Sequence, residues 1–481
     1  LPPSMAGQHL LTGMITDEDA YSEMRSVKLE GEGTRGAMLY QMLHPGLQPG
    51  KKYLAGVWAR SSGDDSTGTV FRVKIVYRDK SIPSDVWEES FPDGGHEWQL
   101  REISFEPRSR ERFILVQVLP GEGGTVWLDD VYMQPARGEN LIFDGGFETG
   151  RGGHWQLDAP KLPGLAELHK LYFEMLVAHG LNPSEMPVAW DDERVEDYAT
   201  DPRMNQVRLP YRARWQMGDF PPEDIEALQV AADRAEAGGW LDRAFVYPLD
   251  EPAPPQYPRV REVVAKIHEV APDVQVLLTE QYEPELADAV DIWCPLLSRM
   301  NLDKLAERQL EGKVFWWYTA VNPRAPYPTF LVDDYGTAPR ILPWMNARFC
   351  IEGLLYWNTT QWRAVGDPWK DMLTLPWAWA NGDGSLLYPG SAVGIDGPLA
   401  SLRLKLIREG LEDHQYLTIL RELVNREAGA EAKPDGSDPG VARIAEMCED
   451  LFSRPSDYTT DALTLERARA RVAEEIVRLS R

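Results

Sequence analysis

From about residue 186 the chain alternates short apolar runs with amphipathic helical stretches, and this alternation constrains its fold more than any other feature. The runs are MPVAWDD (186–192), QVRLPY (206–211), AFVYPLDEP (244–252), VQVLLTEQY (274–282), DIWCPLL (291–297), KVFWWYTA (313–320) and GLLYWNTT (353–360). Helical spacing fills 222–239, 258–270 and 302–310 between them, and upstream LAELHKLYFEMLVAHG puts Leu165, Leu168, Leu171, Tyr172, Met175 and Leu176 on one face before Gly180 stops it. Strands separated by helices pair in parallel, because a parallel neighbour needs a long crossover. So many of them predict a (β/α)8 TIM-like barrel over 165–400 rather than an open sheet. Seven strands can be counted; the missing first one is expected in GRGGHWQLDAP, ahead of Leu165.

The flanks read differently. Residues 1–136 hold alternating runs such as YLAGVWAR (53–60), TVFRVKIVYR (69–78), ERFILVQVLP (111–120) and TVWLDDVYM (125–133), broken by Gly, Pro, Asp and Ser. This predicts an all-β sandwich or jelly roll. Residues 137–164 read as a linker or extra strand. Their run NLIFDGGFETG (140–150) looks like the opening strand of a second module, yet too little chain follows for one of about 100 residues. Either it pairs with the first sandwich or a stretch of the natural chain is absent here. After about residue 400 the period is helical to the end, giving a C-terminal extension over 401–481 packed on the barrel. The fold class is therefore multidomain.

Composition narrows the function. The formal charge is -26, from 50 basic and 76 acidic residues, which excludes the basic footprint of a nucleic-acid or anionic-membrane binder. No apolar run approaches the roughly 20 residues of a membrane-spanning helix. Cys294, Cys350 and Cys448 are far apart, with no metal-ligand spacing and no disulfide framework. The chain begins at Leu1, which is compatible with a removed leader; a secreted or cell-envelope location is expected, with a cytoplasmic one left open. Seventeen Trp and 18 Tyr offer aromatic faces for sugar rings, although packing is the commoner use of tryptophan. Oligomeric state is not legible.

Within the barrel pattern, AFVYPLDEP carries the chemistry. An apolar strand ends in two neighbouring carboxylates, Asp250 and Glu251, and then proline. The carboxyl ends of barrel strands form the active-site face, so acids there read as catalytic; the competing reading is that they cap the next turn. The other strand ends carry aromatic and polar groups: Trp190-Asp191-Asp192, Arg208 and Tyr211, Glu280 and Tyr282, Trp316-Trp317-Tyr318, Trp357-Asn358. Such a ring suits a sugar, aromatics stacking on its apolar face and acids and amides binding its hydroxyls. Side chains alternate along a strand, so about half of these must face the helices instead. Glycoside hydrolysis ordinarily takes two carboxylates. Asp250 and Glu251 could converge if the strand breaks at Asp250, with Pro252 keeping Glu251 extended. The run WWYT ends without an acid, and Glu352 lies at the wrong end of its strand. The partner carboxylate is then Glu280 or Asp191/Asp192, or the substrate supplies its own nucleophile.

PLDEP, WWYTAVNP, GLLYWNT, NGDGSLLYPG (381–390) and LRLKLIREGLEDHQYL (402–417) together resemble the glycoside hydrolase family 123 barrel, over roughly residues 160–425. Its characterised members are β-N-acetylgalactosaminidases, and a related group shares the barrel. The resemblance implies a (β/α)8 barrel behind a β-sandwich and retention of configuration. It implies Glu251 as acid/base and Asp250 as the residue that orients and stabilises a 2-acetamido group attacking the anomeric carbon. Trp317, Tyr318, Trp357 and Asn358 are the pocket residues it suggests next. Tyr388 and Arg408 either face the pocket or tie down the last helix, a salt bridge being expected for Arg408. WLDDVYM resembles the closing strand of carbohydrate-binding β-sandwiches, where acids can hold a structural calcium; solvent-facing turn acids are the competing expectation for Asp129 and Asp130. No other cofactor is expected.

The expectation is a retaining exo-glycosidase on terminal β-linked N-acetylhexosamine, with GalNAc first. Aromatic walls would desolvate Glu251 and keep it protonated until it acts. Rival readings are a glycosidase of other specificity, with Glu280 or Asp191 as second carboxylate, and a non-catalytic glycan-binding protein that keeps the barrel as scaffold.

Overall fold

The computed structural model describes residues 14–481 apart from 31–36, 64–66, 80, 122, 137, 149–154, 159–164, 363–364, 366–367, 376–377 and 396. The chain forms two compact units, one of Leu1–Tyr172, Thr360–Trp379 and Leu387–Leu399, the other of Phe173–Thr359, Ala380–Leu386 and Ala400–Arg481.

The first unit is a two-sheet sandwich. Its strands are β1 (Ile15–Thr16), β2 (Ser26–Glu30), β3 (Met38–Leu43), β4 (Tyr53–Ser62), β5 (Val70–Tyr77), β6 (Asp85–Ser90), β7 (His96–Phe105), β8 (Glu111–Leu119), β9 (Thr125–Pro135) and β10 (Gln156–Asp158). They form the sheets β1-β2-β9-β4-β7 and β10-β3-β8-β5-β6. Period-two patterning decides which face is buried. Phe71, Val73 and Ile75 of β5, Ile114, Val116 and Val118 of β8, and Val126, Leu128 and Met133 of β9 all enter one core. Residues 140–148 and 155–158 enter the same core through Ile142, Phe147, Trp155 and Leu157. Leu141 N–H donates to Met133 O at 2.7 Å, and the Gln41 amide exchanges hydrogen bonds with the backbone of Phe143 at 2.9 Å each way. The described part of NLIFDGGFETG, residues 140–148, thus lies on the first sandwich. The stretch expected to supply the first barrel strand supplies β10 instead, antiparallel to β3.

Asp129 is fully buried, which overturns its reading as a solvent-facing turn acid. Its Oδ2 accepts from the N–H groups of Tyr21 (2.9 Å) and Ser22 (3.1 Å), and its Oδ1 from Asp130 N–H (2.7 Å). With both oxygens engaged this way the carboxylate folds the 19–22 loop. Among the described residues no group of three or more His, Cys, Asp or Glu is placed to hold a metal ion.

The second unit is built on six parallel strands, β11 (Val207–Arg208), β12 (Ala244–Val246), β13 (Gln275–Leu278), β14 (Ile292–Trp293), β15 (Val314–Tyr318) and β16 (Gly353–Leu355), hydrogen-bonded in chain order. The sheet has six strands among the described residues, so the expected closure into eight is corrected to a half-barrel. MPVAWDD is the run that fails. Pro187 lacks a donor, and Asp192 closes a turn by accepting Arg194 N–H at 2.9 Å while its own N–H donates to Ala189 O at 3.1 Å. Helices Pro222–Ala237, Tyr257–Val270, Leu302–Leu310 and Thr337–Phe349 lie between strands. In the last, Thr337 to Asn346 are buried without a break.

Beyond the sheet run the helices Leu402–Ala428, Pro439–Cys448 and Ala462–Leu479. Gly410 lets the first approach the helix Thr337–Phe349; a β-carbon there would sit 2.6 Å from Arg340 O. Three residues on, fully buried Asp413 accepts from Arg340 Nε (2.7 Å), Trp344 Nε1 (2.9 Å) and Arg469 Nε (3.1 Å), joining three helices. The run IREGLEDHQY is therefore a packing motif. Arg408 within it pairs with Glu409 at 2.9 Å, as a salt bridge. No helix among the described residues is long and apolar enough to cross a membrane.

Candidate active site

Strand β12 stops at Val246, and the next six residues turn across the carboxyl end of the sheet. Both Asp250 and Glu251 are exposed, so the aromatic enclosure expected around Glu251 is absent from the chain by itself. Glu251 has φ of 45°, in the left-handed region, although it is neither glycine nor asparagine and precedes Pro252. This corrects the expectation of an extended Glu251. Such a conformation costs on the order of 1–3 kcal/mol and persists only where the surroundings hold it.

Hydroxyl groups hold it. The Tyr247 phenol is hydrogen-bonded to Asp250 Oδ1, and the Tyr318 phenol to Glu251 Oε1. Thr279, the first residue past β13, accepts Glu251 N–H on Oγ1 at 2.8 Å and contacts Asp250 Oδ1 at 3.2 Å and the Tyr247 hydroxyl at 3.1 Å. Burial, reinforced by the neighbouring carboxylates, pushes both phenols well above their ordinary pKa, so they are donors at any working pH. Arg208, at the end of β11, lies 5.4 Å over the Tyr247 ring. Burial lowers its pKa, opposed by the charges of Glu185, Tyr247 and Asp250.

The floor is the inner face of the sheet. Phe245, Leu277, Ile292, Cys294, Trp316 and Tyr318 form one cluster, with Phe245 and Trp316 edge to face at 5.2 Å. Gly353, opposite Trp316 on β16, must be glycine because any β-carbon would lie 2.2–2.5 Å from the indole. Strand alternation then separates the WWY run. Tyr318 reaches the acid pair, whereas Trp317 is fully buried on the opposite face, its Nε1 donating to Asn346 of the helix at 2.8 Å.

The other expected residues disperse. Tyr211 is buried, with Arg259, Asp219 and Asp224 as its charged neighbours. Tyr282 packs on Trp293 at 5.1 Å and under Arg308, at the edge of a cavity of about 250 Å³ lined also by Pro295, Met300, Leu305 and Phe315. Trp190 lies on the turn that replaced MPVAWDD; its neighbour Asp191 is exposed, and Asp192 is held down to about 2 by Arg194. Tyr388 belongs to the first unit, where it packs against Trp369. Trp357, at the end of β16, stays half-exposed and donates to Asp383 Oδ2 at 3.2 Å, beside the Tyr356 hydroxyl on Oδ1 at 3.0 Å. Asn358 Oδ1 accepts Thr359 N–H at 2.7 Å. The GDG loop is thus the brace beneath the end of β16, and Arg403 clamps it through Gly382 O at 2.8 Å and Ser385 O at 2.5 Å.

Glu280 is half-buried next to Thr279. Burial raises its pKa first, and the charges of Glu283 and Glu251 add to the shift while Arg299 opposes it. Sequence reasoning passed over Tyr247 and Thr279, although the strand-end rule that selected Glu280 covers both. It could not find Asp383 as a support for Trp357, because that contact joins segments 26 residues apart.

Residues 226–420 match the family model for the glycoside hydrolase 123 catalytic domain, which bears out the resemblance and makes this stretch a glycoside hydrolase domain. Among solved structures, a family 123 glycoside hydrolase from Clostridium perfringens is 11% identical with a TM-score of 0.44, covering 95% of this chain and 90% of that one. A Family 16 Carbohydrate Binding Module-2 is 16% identical with a TM-score of 0.21, covering 25% of this chain and 82% of its own. The CBM22-1 xylan-binding domain of Paenibacillus barcinonensis Xyn10C is 14% identical with a TM-score of 0.21, covering 26% and 81%. No curated protein matches the chain in sequence.

Proposed function

We propose that the second unit is a retaining exo-glycosidase that removes terminal β-linked N-acetylhexosamine, GalNAc foremost, by substrate-assisted catalysis. The observation that carries the reading is that Asp250 and Glu251, adjacent in the chain, are held by different donors, Tyr247 with Thr279 on one side and Tyr318 on the other. Distinct holders suit distinct tasks. Asp250, fixed as an acceptor, would take the N–H of the 2-acetamido group and stabilise the positive charge that develops as its carbonyl oxygen attacks the anomeric carbon. Glu251 would give its proton to the leaving oxygen and later take one from water. The bound sugar and half-exposed Trp357 would supply the desolvation that the exposed carboxylates lack alone. A chain whose β15 ends in Tyr318 rather than an acid fits the substrate-assisted exception to the two-carboxylate rule.

Turnover of aryl β-GalNAc, β-GlcNAc and β-galactoside tests this. Hydrolysis confined to the acetamido sugars is expected; comparable hydrolysis of the galactoside overturns the mechanism. A second reading rests on the place of Glu280, half-buried beside Thr279 at the same end of the sheet: it could serve as second carboxylate for a sugar without an acetamido group. Glu280→Gln would then remove nearly all activity, whereas the first reading expects it to stay within a few-fold.

A further inference from the structure

We propose that Thr279 is the positioning residue that fixes Asp250 and Glu251 relative to each other. The inference rests on the glycosidase reading above and assigns a task that neither acid can perform for itself. Two carboxylates adjacent in sequence diverge in extended backbone, because successive side chains point to opposite sides. Here the chain escapes that geometry at Glu251, whose φ of 45° turns its side chain out of the alternation. Proline next in sequence disfavours departures from extended backbone, so the conformation needs an external restraint.

The Glu251 N–H is the natural handle, and it donates to Thr279 Oγ1 at 2.8 Å. With its oxygen accepting that N–H, the Thr279 hydroxyl still has one proton to give; Asp250 Oδ1 lies 3.2 Å away and the Tyr247 hydroxyl, itself hydrogen-bonded to the same Oδ1, 3.1 Å away. Asp250 Oδ1 also takes the Tyr247 phenol. The chain of bonds runs from the Glu251 backbone through one hydroxyl to the Asp250 carboxylate. A single 5%-exposed side chain therefore sets the backbone of the acid/base residue and the carboxylate of its neighbour. Valine has the same shape and can make neither bond; serine can make both.

The test compares Thr279→Val and Thr279→Ser with the wild type on aryl β-N-acetylhexosaminides, with melting temperatures recorded for each. A displacement near 1 Å at a reacting group can cost about 100-fold. Thr279→Val should lower kcat roughly 10- to 100-fold with KM within about threefold, and Thr279→Ser should recover most of that loss. Turnover of Thr279→Val within twofold of wild type overturns the proposal, as does an equal loss in both variants or a loss carried by KM. Should Thr279→Val not fold, Thr279→Cys, a poor donor and acceptor, is judged by the same criteria. A wild type inactive on every acetamido substrate would instead remove the underlying glycosidase reading, so the two failures are distinguishable.

Discussion

The sandwich and the parallel-sheet unit draw on the same residue types and use them in opposite ways. On the sandwich the polar aromatics cover one another: Tyr21 stacks on Trp58 at 3.6 Å and 13°, while Lys28 and Arg60 lie over Trp127. Fully buried Asp129 accepts three backbone N–H groups across its two oxygens. In the parallel-sheet unit Tyr247 and Tyr318 point phenols at carboxylates that stay exposed, and the donors on those carboxylates are side-chain hydroxyls. The lesson is that the type of residue says little until its partners are counted. A saturated acid holds a fold together, while one with open lone pairs can meet a substrate.

The sharpest way to break the comparison is catalytic. Glu251→Gln should lower kcat on substrates with poor leaving groups by 10²–10⁴-fold, the usual range for losing general acid catalysis, while substrates with activated leaving groups lose less. Trp58→Ala on the sandwich should leave turnover of the same soluble aryl glycosides unchanged. Equal sensitivity of the two positions would end the distinction.

Next in size is a stability contrast. Asp413→Ala removes the buried carboxylate shared by Arg340, Trp344 and Arg469, leaving Arg340 with the half-exposed Glu466 and Arg469 with Glu409 and Glu412; losing one member of a buried ion pair costs about 3–5 kcal/mol. Chemical denaturation should read that loss in the parallel-sheet unit. A change below about 1 kcal/mol would show the network to be no stronger than a surface pair.

The smallest effect concerns pH, and the two regions should respond with opposite signs. Burial pushes Asp129 up to about 6 from 3.8 despite its N–H donors. A raised carboxylate is penalised in the folded state as pH climbs from 3.8 through about 6, on the order of 1–3 kcal/mol. In the C-terminal helices, Glu475 is held down to about 2 by Arg478 and Arg443. Asp438 is held well below its ordinary value by Arg421, Asn425 and backbone N–H groups, against the opposing effect of burial. Their contribution is complete above the ordinary carboxylate pKa and is lost as pH falls through the depressed values. Hydrogen exchange should show β2 and β9 better protected at pH 4.5 than at pH 7.5, and helix Pro439–Cys448 less protected at pH 2.5 than at pH 5. The same direction of change in both regions would refute the opposition.

Much of this organisation was legible in order along the chain. Period-two and helical patterns gave six of the seven expected parallel strands and the helical C-terminal extension, because burial of one face leaves a local imprint. The helix Thr337–Phe349 was not among the stretches read as helical; its residues Thr337 to Asn346 are buried without a break. MPVAWDD misled because an apolar run broken by Pro187 and closed by Asp192 reads the same until its turn is seen. Site residues fared by the same logic. Tyr318 and Trp317 are equivalent in sequence, and one bond of alternation sent the second to Asn346.

The sequence by itself determined the carboxylate pair, its place after a buried strand, and the glycosidase class carried by residues 226–420. Those are local properties, fixed by side-chain type and spacing. Only the tertiary structure decided that six strands rather than eight line up among the described residues, and that Glu251 adopts a left-handed turn. It also brought a threonine 28 residues further along the chain to the Glu251 N–H. Hydrogen bonds between segments that distant exist only once the sheet sets them side by side, so no local pattern encodes them.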